Sequence, residues 1–307
     1  TVYVMHFNRR EALLGAALAT QLPASTSRLD AAVQSLLDRQ NTDPKSRWYG
    51  GVPDAYGLHH GGTITGIFET FTTAFVSPQS KFHRSPLLLE RIRLGGTFLD
   101  RHMTPDGNIN LQITNFNSPP DGAFAVRTAA VAARLARKFN APEIAGVVEA
   151  FLKRQGDGLL KGGIHTPNHR WVMSAALASL DELYPQDPRY RRRAEQWLAE
   201  GIDIDTDGQY TERSSGTYNI VVNQSLVQIA DKLGKPALLD AVRKNLASVF
   251  QLLDHGDELV TDISTRQDQF TKVDIGGYWY PLAYLAWKDS NPVYAHLARK
   301  YADRHAP

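Results

Sequence analysis

At 307 residues the chain can bury a substantial core and could hold one large domain or two small ones. Hydrophobic residues make up 42% and charged residues 21%, and the formal net charge of +2 gives no reason to expect nucleic acid or an anionic membrane surface as a partner. There are no cysteines, which excludes disulfides, thiolate metal sites and cysteine nucleophiles.

Near the N-terminus Met5 is followed by Arg9 and Arg10, then by a short apolar run over 12–19 that ends in the small-residue pattern Ala17-Leu18-Ala19. Residues 1–24 are therefore expected to be an export signal of the twin-arginine kind, giving a periplasmic or secreted mature chain. The run is too short to span a bilayer, and no later stretch is long and apolar enough, so no membrane association is expected after processing.

Downstream the pattern is helical almost throughout. Leu29, Ala32, Val33, Leu36 and Leu37 open it at helical spacing. Further helices are predicted over 62–76, 86–103, 121–139, 142–155, 169–184, 188–200, 217–233, 236–253, 277–287 and 292–304. Leu239, Val242, Leu246, Val249, Phe250 and Leu253 display the recurring feature, one apolar face per helix. β-branched alternation of useful length is absent, and the charge run from Arg189 to Trp197 reads as a solvated helix face.

A weak repeat marks the breaks. TPDGNI, DTDGQYTE and DHGDELVTD each follow a predicted helix, and each is a tight Asp/Gly turn leading into a short extended piece. Helical hairpins with one apolar face apiece must stack to bury it. Long polar loops over 38–62 and 108–122 favour a closed ring with a decorated cleft over a regular solenoid. The expected fold is an all-α toroid over 25–307, of about five to six helical hairpins and incomplete at its C-terminal end.

Two helix starts carry the candidate chemistry. Thr166 followed by Pro167 is a hydroxyl cap with proline at the first helical position, so Asn168 and His169 fall in the first turn, where free N–H groups and the helix dipole favour anions. Ser214, Ser215 and Gly216 precede a second start, which bears Tyr218 on the apolar face of Val221, Val222, Ser225, Leu226, Ile229 and Leu233. Two inward helix tips, one with Asn-His and one with Tyr, are expected to meet across the mouth of the ring.

At these residues the sequence resembles the heparinase II/III-like and oligo-alginate lyase group of polysaccharide lyases. In that group an Asn-His pair starts one toroid helix, and an Arg/Gly-rich loop runs into a later helix bearing a catalytic tyrosine. PNHRW supplies Asn168 and His169, and YTERSSGTYNIVVNQSL supplies Tyr218. The resemblance extends over 29–287 and implies β-elimination of an anionic, uronic-acid-containing polysaccharide or oligosaccharide, with Asn168, His169 and Tyr218 catalytic. It also implies a C-terminal β-sandwich, which does not follow the toroid in this sequence.

The residue types suit that reaction. Removing the C5 proton beside an ionised carboxylate requires donors that neutralise the carboxylate, and Asn168 and His169 offer N–H groups. Tyrosine can take the proton and protonate the leaving oxygen, with Arg213 the nearby cation; a neutral His169 could instead be the base. Substrate contacts are expected from Arg213, Arg266, Trp171, Asn117, His60 and Tyr56. Trp48, Tyr49 and His59 share the His60 loop and could stack on sugar rings or cap the toroid; Asn115 and Asp121 could line the cleft, with Asp121 expected as a helix cap. His59-His60 lacks metal-ligand spacing, and neither a metal nor a cofactor is expected.

Two other functions compete. A glycoside hydrolase on the same architecture, such as an unsaturated-uronyl hydrolase, would need two carboxylates, for which Asp205, Asp207 and Glu212 are the candidates. A noncatalytic carbohydrate-binding scaffold would show aromatics without a working base.

Overall fold

The computed structural model describes residues 22–305. The expected export signal lies outside them, except that residues 22–24 already belong to the first helix. Eleven α-helices follow among the described residues: α1 (Leu22–Arg39), α2 (Gly61–Val76), α3 (Pro86–His102), α4 (Pro119–Lys138), α5 (Pro142–Lys161), α6 (Pro167–Leu183), α7 (Pro188–Ala199), α8 (Tyr218–Lys232), α9 (Leu238–Gln251), α10 (Trp279–Asp289) and α11 (Pro292–His305). Proline opens α3, α4, α5, α6 and α7, where its missing N–H costs nothing and its fixed φ suits the first turn.

The helices sort into two layers. α2, α4, α6 and α8 pack side by side in sequence, with α10 against α8, and form an inner ring. Inner helices are small-residue-rich and buried almost all round: Ala125, Ala129, Ala132 and Ala133 in α4, and the unbroken stretch from Trp171 to Leu180 in α6. Outer helices bury one stripe. In α7 only Tyr190 and Ala194 are buried, so the charge run is an outer-layer surface, as its pattern predicts. Three of its arginines nevertheless find partners, Arg189 on Asp187 at 2.6 Å, Arg191 on Asp181 at 2.8 Å and Arg193 on the Gly162 carbonyl at 3.2 Å. Arg28 of α1 pairs with Asp303 of α11 at 3.7 Å, bringing the first and last described helices together. The architecture is an all-α toroid.

Connections from inner to outer helices are short, and those from outer to inner helices are mostly long. The long ones lie at the N-terminal ends of the inner helices, and four of them contain the same turn. Gly57, Gly107, Gly208 and Asp257 donate back to Asp54, Thr104, Asp205 and Asp254 respectively, at 2.9–3.2 Å. Each donor sits at positive φ, between 65° and 87°. Three of these turns are the sequence repeat; the fourth, Asp54 to Gly57, is the same device outside that repeat.

Two expectations need correction. The 108–122 loop contains an antiparallel hairpin, β1 (Ile109–Leu111) with β2 (Asn115–Ser118), too short to leave an alternating signature. Helix α5 runs on to Lys161 instead of stopping at 155. Its late glycines are close-approach positions within the helix: a Cβ on Gly156 would lie 2.6 Å from the Tyr190 hydroxyl, and one on Gly158 would lie 2.3 Å from Asn108 Oδ1.

Candidate active site

The mouth is built at the N-terminal ends of the inner helices. Thr166 precedes α6, and the Thr166 hydroxyl accepts from the Asn168 side-chain amide at 2.9 Å. The Asn168 backbone N–H donates to Glu212 Oε2 at 2.7 Å. Asn168 is 1% exposed, and its Oδ1 has no hydrogen-bond partner among the described residues. The first turn of α6 thus already has its anion, supplied by the protein, and His169, half-buried, follows Asn168 in that turn.

Glu212 continues the chain of contacts. Its Oε1 accepts from Arg266 Nη1 at 2.6 Å, and its backbone carbonyl accepts from the Thr265 hydroxyl at 2.9 Å. The Arg266 guanidinium lies over the Tyr218 ring, 4.7 Å from its centroid. The Gln267 side-chain amide donates to the Tyr218 hydroxyl. Beneath them Asp268, buried, accepts from the Ser214 hydroxyl at 2.8 Å, the Ser264 hydroxyl at 2.9 Å and the Gly216 N–H at 2.9 Å. This network fixes the loop entering α8, and the Ser214 hydroxyl accepts from the Tyr218 N–H at 2.9 Å. Asn168 and Tyr218, separated by fifty residues, are tied through Glu212 and Arg266.

His169 stands beside this chain. Its ring is edge-on to His165 at 5.7 Å, and its Nδ1 is buried without a hydrogen-bond partner among the described residues. Burial pushes its pKa down to about 4; the Asp121 carboxylate works against this, while His165 and Arg266 add to it. His169 is therefore neutral at physiological pH. His60, at the start of α2, has its Nε2 3.5 Å from Asp54 Oδ2. Burial lowers its pKa as well, opposed by Asp54 and by the same Asp121. Asp121 is thus the carboxylate shared by the two histidines. Its own place is the third residue of α4, where it accepts from the Asn115 amide at 3.0 Å and from the Ser118 hydroxyl. Ser118, not Asp121, is the cap of α4.

Arg266 lies against Tyr218 and within electrostatic reach of His169, and Asp121 is within such reach of both His169 and His60. Three expected contacts, Trp171, Arg213 and Asn117, are engaged by the protein itself. Trp171 is 0% exposed, with its indole N–H on Asp203 at 2.8 Å; two residues beyond His169 it falls on the opposite side of the helix and enters the core. Arg213, at φ 42°, pairs with Asp205 on the exposed side of its loop at 2.7 Å, and the cation over Tyr218 is Arg266 instead. Asn117 has its whole amide engaged, accepting from Thr104 at 2.7 Å and Asn108 at 3.0 Å and donating to Asp106 at 2.9 Å. Tyr56 is 81% exposed at the tip of the Asp54 turn. Trp48 stacks between His59, at 5.0 Å, and His102, at 5.6 Å, fastening its loop to α3. Sequence reasoning offered Asp121 only as a cap or cleft-lining residue and Glu212 only as a hydrolase carboxylate, and it gave Gln267 no role.

No family model matches the sequence, and no curated protein does. Solved structures do match in fold. A sugar epimerase from a ruminal bacterium is 12% identical with a TM-score of 0.57, over 91% of this chain and 85% of that one. A family 76 α-mannanase from Bacteroides thetaiotaomicron is 11% identical with a TM-score of 0.52, over 91% and 82%. A family 105 glycoside hydrolase from C. acetobutylicum is 10% identical with a TM-score of 0.51, over 90% and 81%. At these identities the likeness carries the α/α toroid and nothing of substrate or chemistry.

Proposed function

We propose that the chain is a carbohydrate-active enzyme that cleaves a uronic-acid-containing polysaccharide or oligosaccharide by β-elimination. The observation carrying this reading is the arrangement at the mouth: Arg266, held by buried Glu212, lies against Tyr218 and within electrostatic reach of a neutral His169. Arg266 keeps N–H donors beyond the one on Glu212 and supplies the positive charge that a uronate carboxylate requires as charge develops at C5. Tyr218 and the neutral His169 are the proton-transfer groups. Tyr218 serves the leaving oxygen in this scheme, and either residue serves C5. Asn168 acts from behind, by shaping the first turn of α6. That the fold neighbours are named as sugar epimerase, mannanase and glycoside hydrolase supports a saccharide substrate. The export signal read in the sequence suits a polymer met outside the cytoplasm; mass spectrometry of the exported product, with its N-terminus shortly after Ala19, tests that part.

A hydrolase is the second reading, and Asp121 favours it as a partly buried carboxylate between two histidines. Hydrolysis needs a second carboxylate across the bond. Asp205 is engaged by its turn and by Arg213, Asp207 is exposed, and Glu212 is held by Arg266 and α6. One experiment separates the readings. The full chain is incubated with a panel of uronic polysaccharides while ultraviolet absorbance and reducing ends are followed. Absorbance of an unsaturated uronate is the expected result; reducing ends without it would establish hydrolysis, and neither signal with retained binding would leave a scaffold.

A further inference from the structure

His165, edge-on to His169, also lines a separate cleft of about 310 Å³. That volume is at the lower end of small-molecule sites and suits a single sugar ring. Arg170, Asp203, Thr166 and Thr211 form other parts of its wall.

This wall differs from the mouth in what its arginine has left to offer. Arg170 is engaged twice, Nη1 on Glu200 and Nη2 on Asp203, both at 3.0 Å. One cation therefore faces two carboxylates. Asp203 Oδ1 accepts from both Arg170 and the Trp171 indole. Among the described residues no donor reaches Asp203 Oδ2, and the Thr211 hydroxyl is likewise without a partner. An entering carboxylate would meet Asp203 with no uncommitted cation to balance it. A hydroxyl or amide N–H would find two acceptors. At the mouth, by contrast, Arg266 retains free donors for an anion.

We propose that this cleft is a subsite for an electrically neutral sugar unit, adjoining the uronate position at Arg266, so that the accepted polymer carries a neutral residue beside its uronate. The inference rests on the uronate reading of the mouth. Trp171 provides a reporter, because its indole proton sits on the carboxylate that the neutral sugar would engage.

The test titrates the full chain with a hyaluronan tetrasaccharide, in which uronate alternates with N-acetylglucosamine, and with tetragalacturonate, which is uronate throughout. The assigned Trp171 indole N–H resonance is followed. The alternating tetrasaccharide is expected to shift it at concentrations where tetragalacturonate does not. Thr211 is exposed, so Thr211→Lys adds a cation to the rim without entering the core. It is expected to move the affinity ratio toward tetragalacturonate by about two- to fivefold, the scale of one surface charge interaction. A resonance unmoved by either ligand, one moved equally by both, or a ratio unchanged by Thr211→Lys would overturn the subsite. The lyase reading fails differently: no unsaturated product forms from any uronate while the Trp171 resonance still responds.

Discussion

Tyr218 and His169 differ in what surrounds them, and so in what their substitution should do. The Tyr218 hydroxyl accepts only from Gln267, an exposed side chain that water can satisfy instead. Tyr218→Phe keeps the ring under Arg266 and leaves no buried group unpaired, so thermal stability should be almost unchanged. Turnover should fall by roughly 10²–10⁴-fold, the usual loss for a general acid–base group. Wild-type turnover with this substitution would end the assignment. His169 is tested by pH. Its pKa is depressed to about 4, chiefly by burial, so it remains neutral well below the range of an exposed histidine. If it is the base, the acid limb of kcat/KM should lie near pH 4 and should vanish in His169→Gln. A limb near pH 6.5 that survives the substitution would place the base elsewhere.

The outer-to-inner turns are the elements that aim the mouth, and their glycines are not equivalent. Gly57 and Gly107 both lie at positive φ, 79° and 87°, so either replacement by Ala carries the left-handed penalty of about 1–2 kcal/mol. A Cβ on Gly57 meets nothing within 4 Å, whereas one on Gly107 would stand 2.2 Å from the Arg154 carbonyl oxygen. Gly57→Ala should therefore cost about that penalty alone. Gly107→Ala must also displace α5 backbone and should cost clearly more, a difference that parallel urea denaturation would resolve. A similar logic explains what the sequence disclosed. Helix positions were legible because each helix carries one long-period signal: proline or hydroxyl starts, then apolar residues at helical spacing. Asn168, His169 and Tyr218 were legible as helix-start residues for the same reason. Glu212 was not, because its partners Asn168 and Arg266 are 44 and 54 residues away and only the side-by-side packing of the inner helices makes them neighbours. Trp171 was misplaced by proximity in sequence, although the 3.6-residue period already turns it away from His169.

At the scale of the whole molecule, the ring places polar groups on the walls of its inner helices. Arg127 of α4 donates to Gln228 of α8 at 2.8 Å, and Arg134 of α4 donates to Glu182 of α6 at 2.9 Å. Glu69 of α2 is the member without a matching partner. It is 3% exposed, and its Oε1 accepts no hydrogen bond among the described residues. Burial pushes its pKa up to about 8, with Arg134 pulling the other way, so it is a neutral acid at physiological pH. The sign of the linkage follows. Between its unfolded value of 4.5 and about 8, the folded chain binds a proton that the unfolded chain does not. Stability must therefore fall as pH rises through that window and level off above it. His169 acts in the opposite sense: with a folded pKa near 4, below its unfolded value of 6.5, it makes stability rise between those values and stops contributing above them. The two slopes oppose each other up to about pH 6.5, and from there to about pH 8 Glu69 acts without that opposition. Glu69→Gln replaces the neutral acid by a neutral amide of the same shape. Unfolding free energies of wild type and variant, measured by urea denaturation from pH 5 to 9, should diverge in favour of the variant as pH rises. Their difference should grow by up to the order of 4 kcal/mol, a ceiling that relaxation and water entry would lower. A difference that stays flat from pH 5 to 9 would mean that Glu69 titrates as an ordinary carboxylate, and that the ring interior admits water at this position.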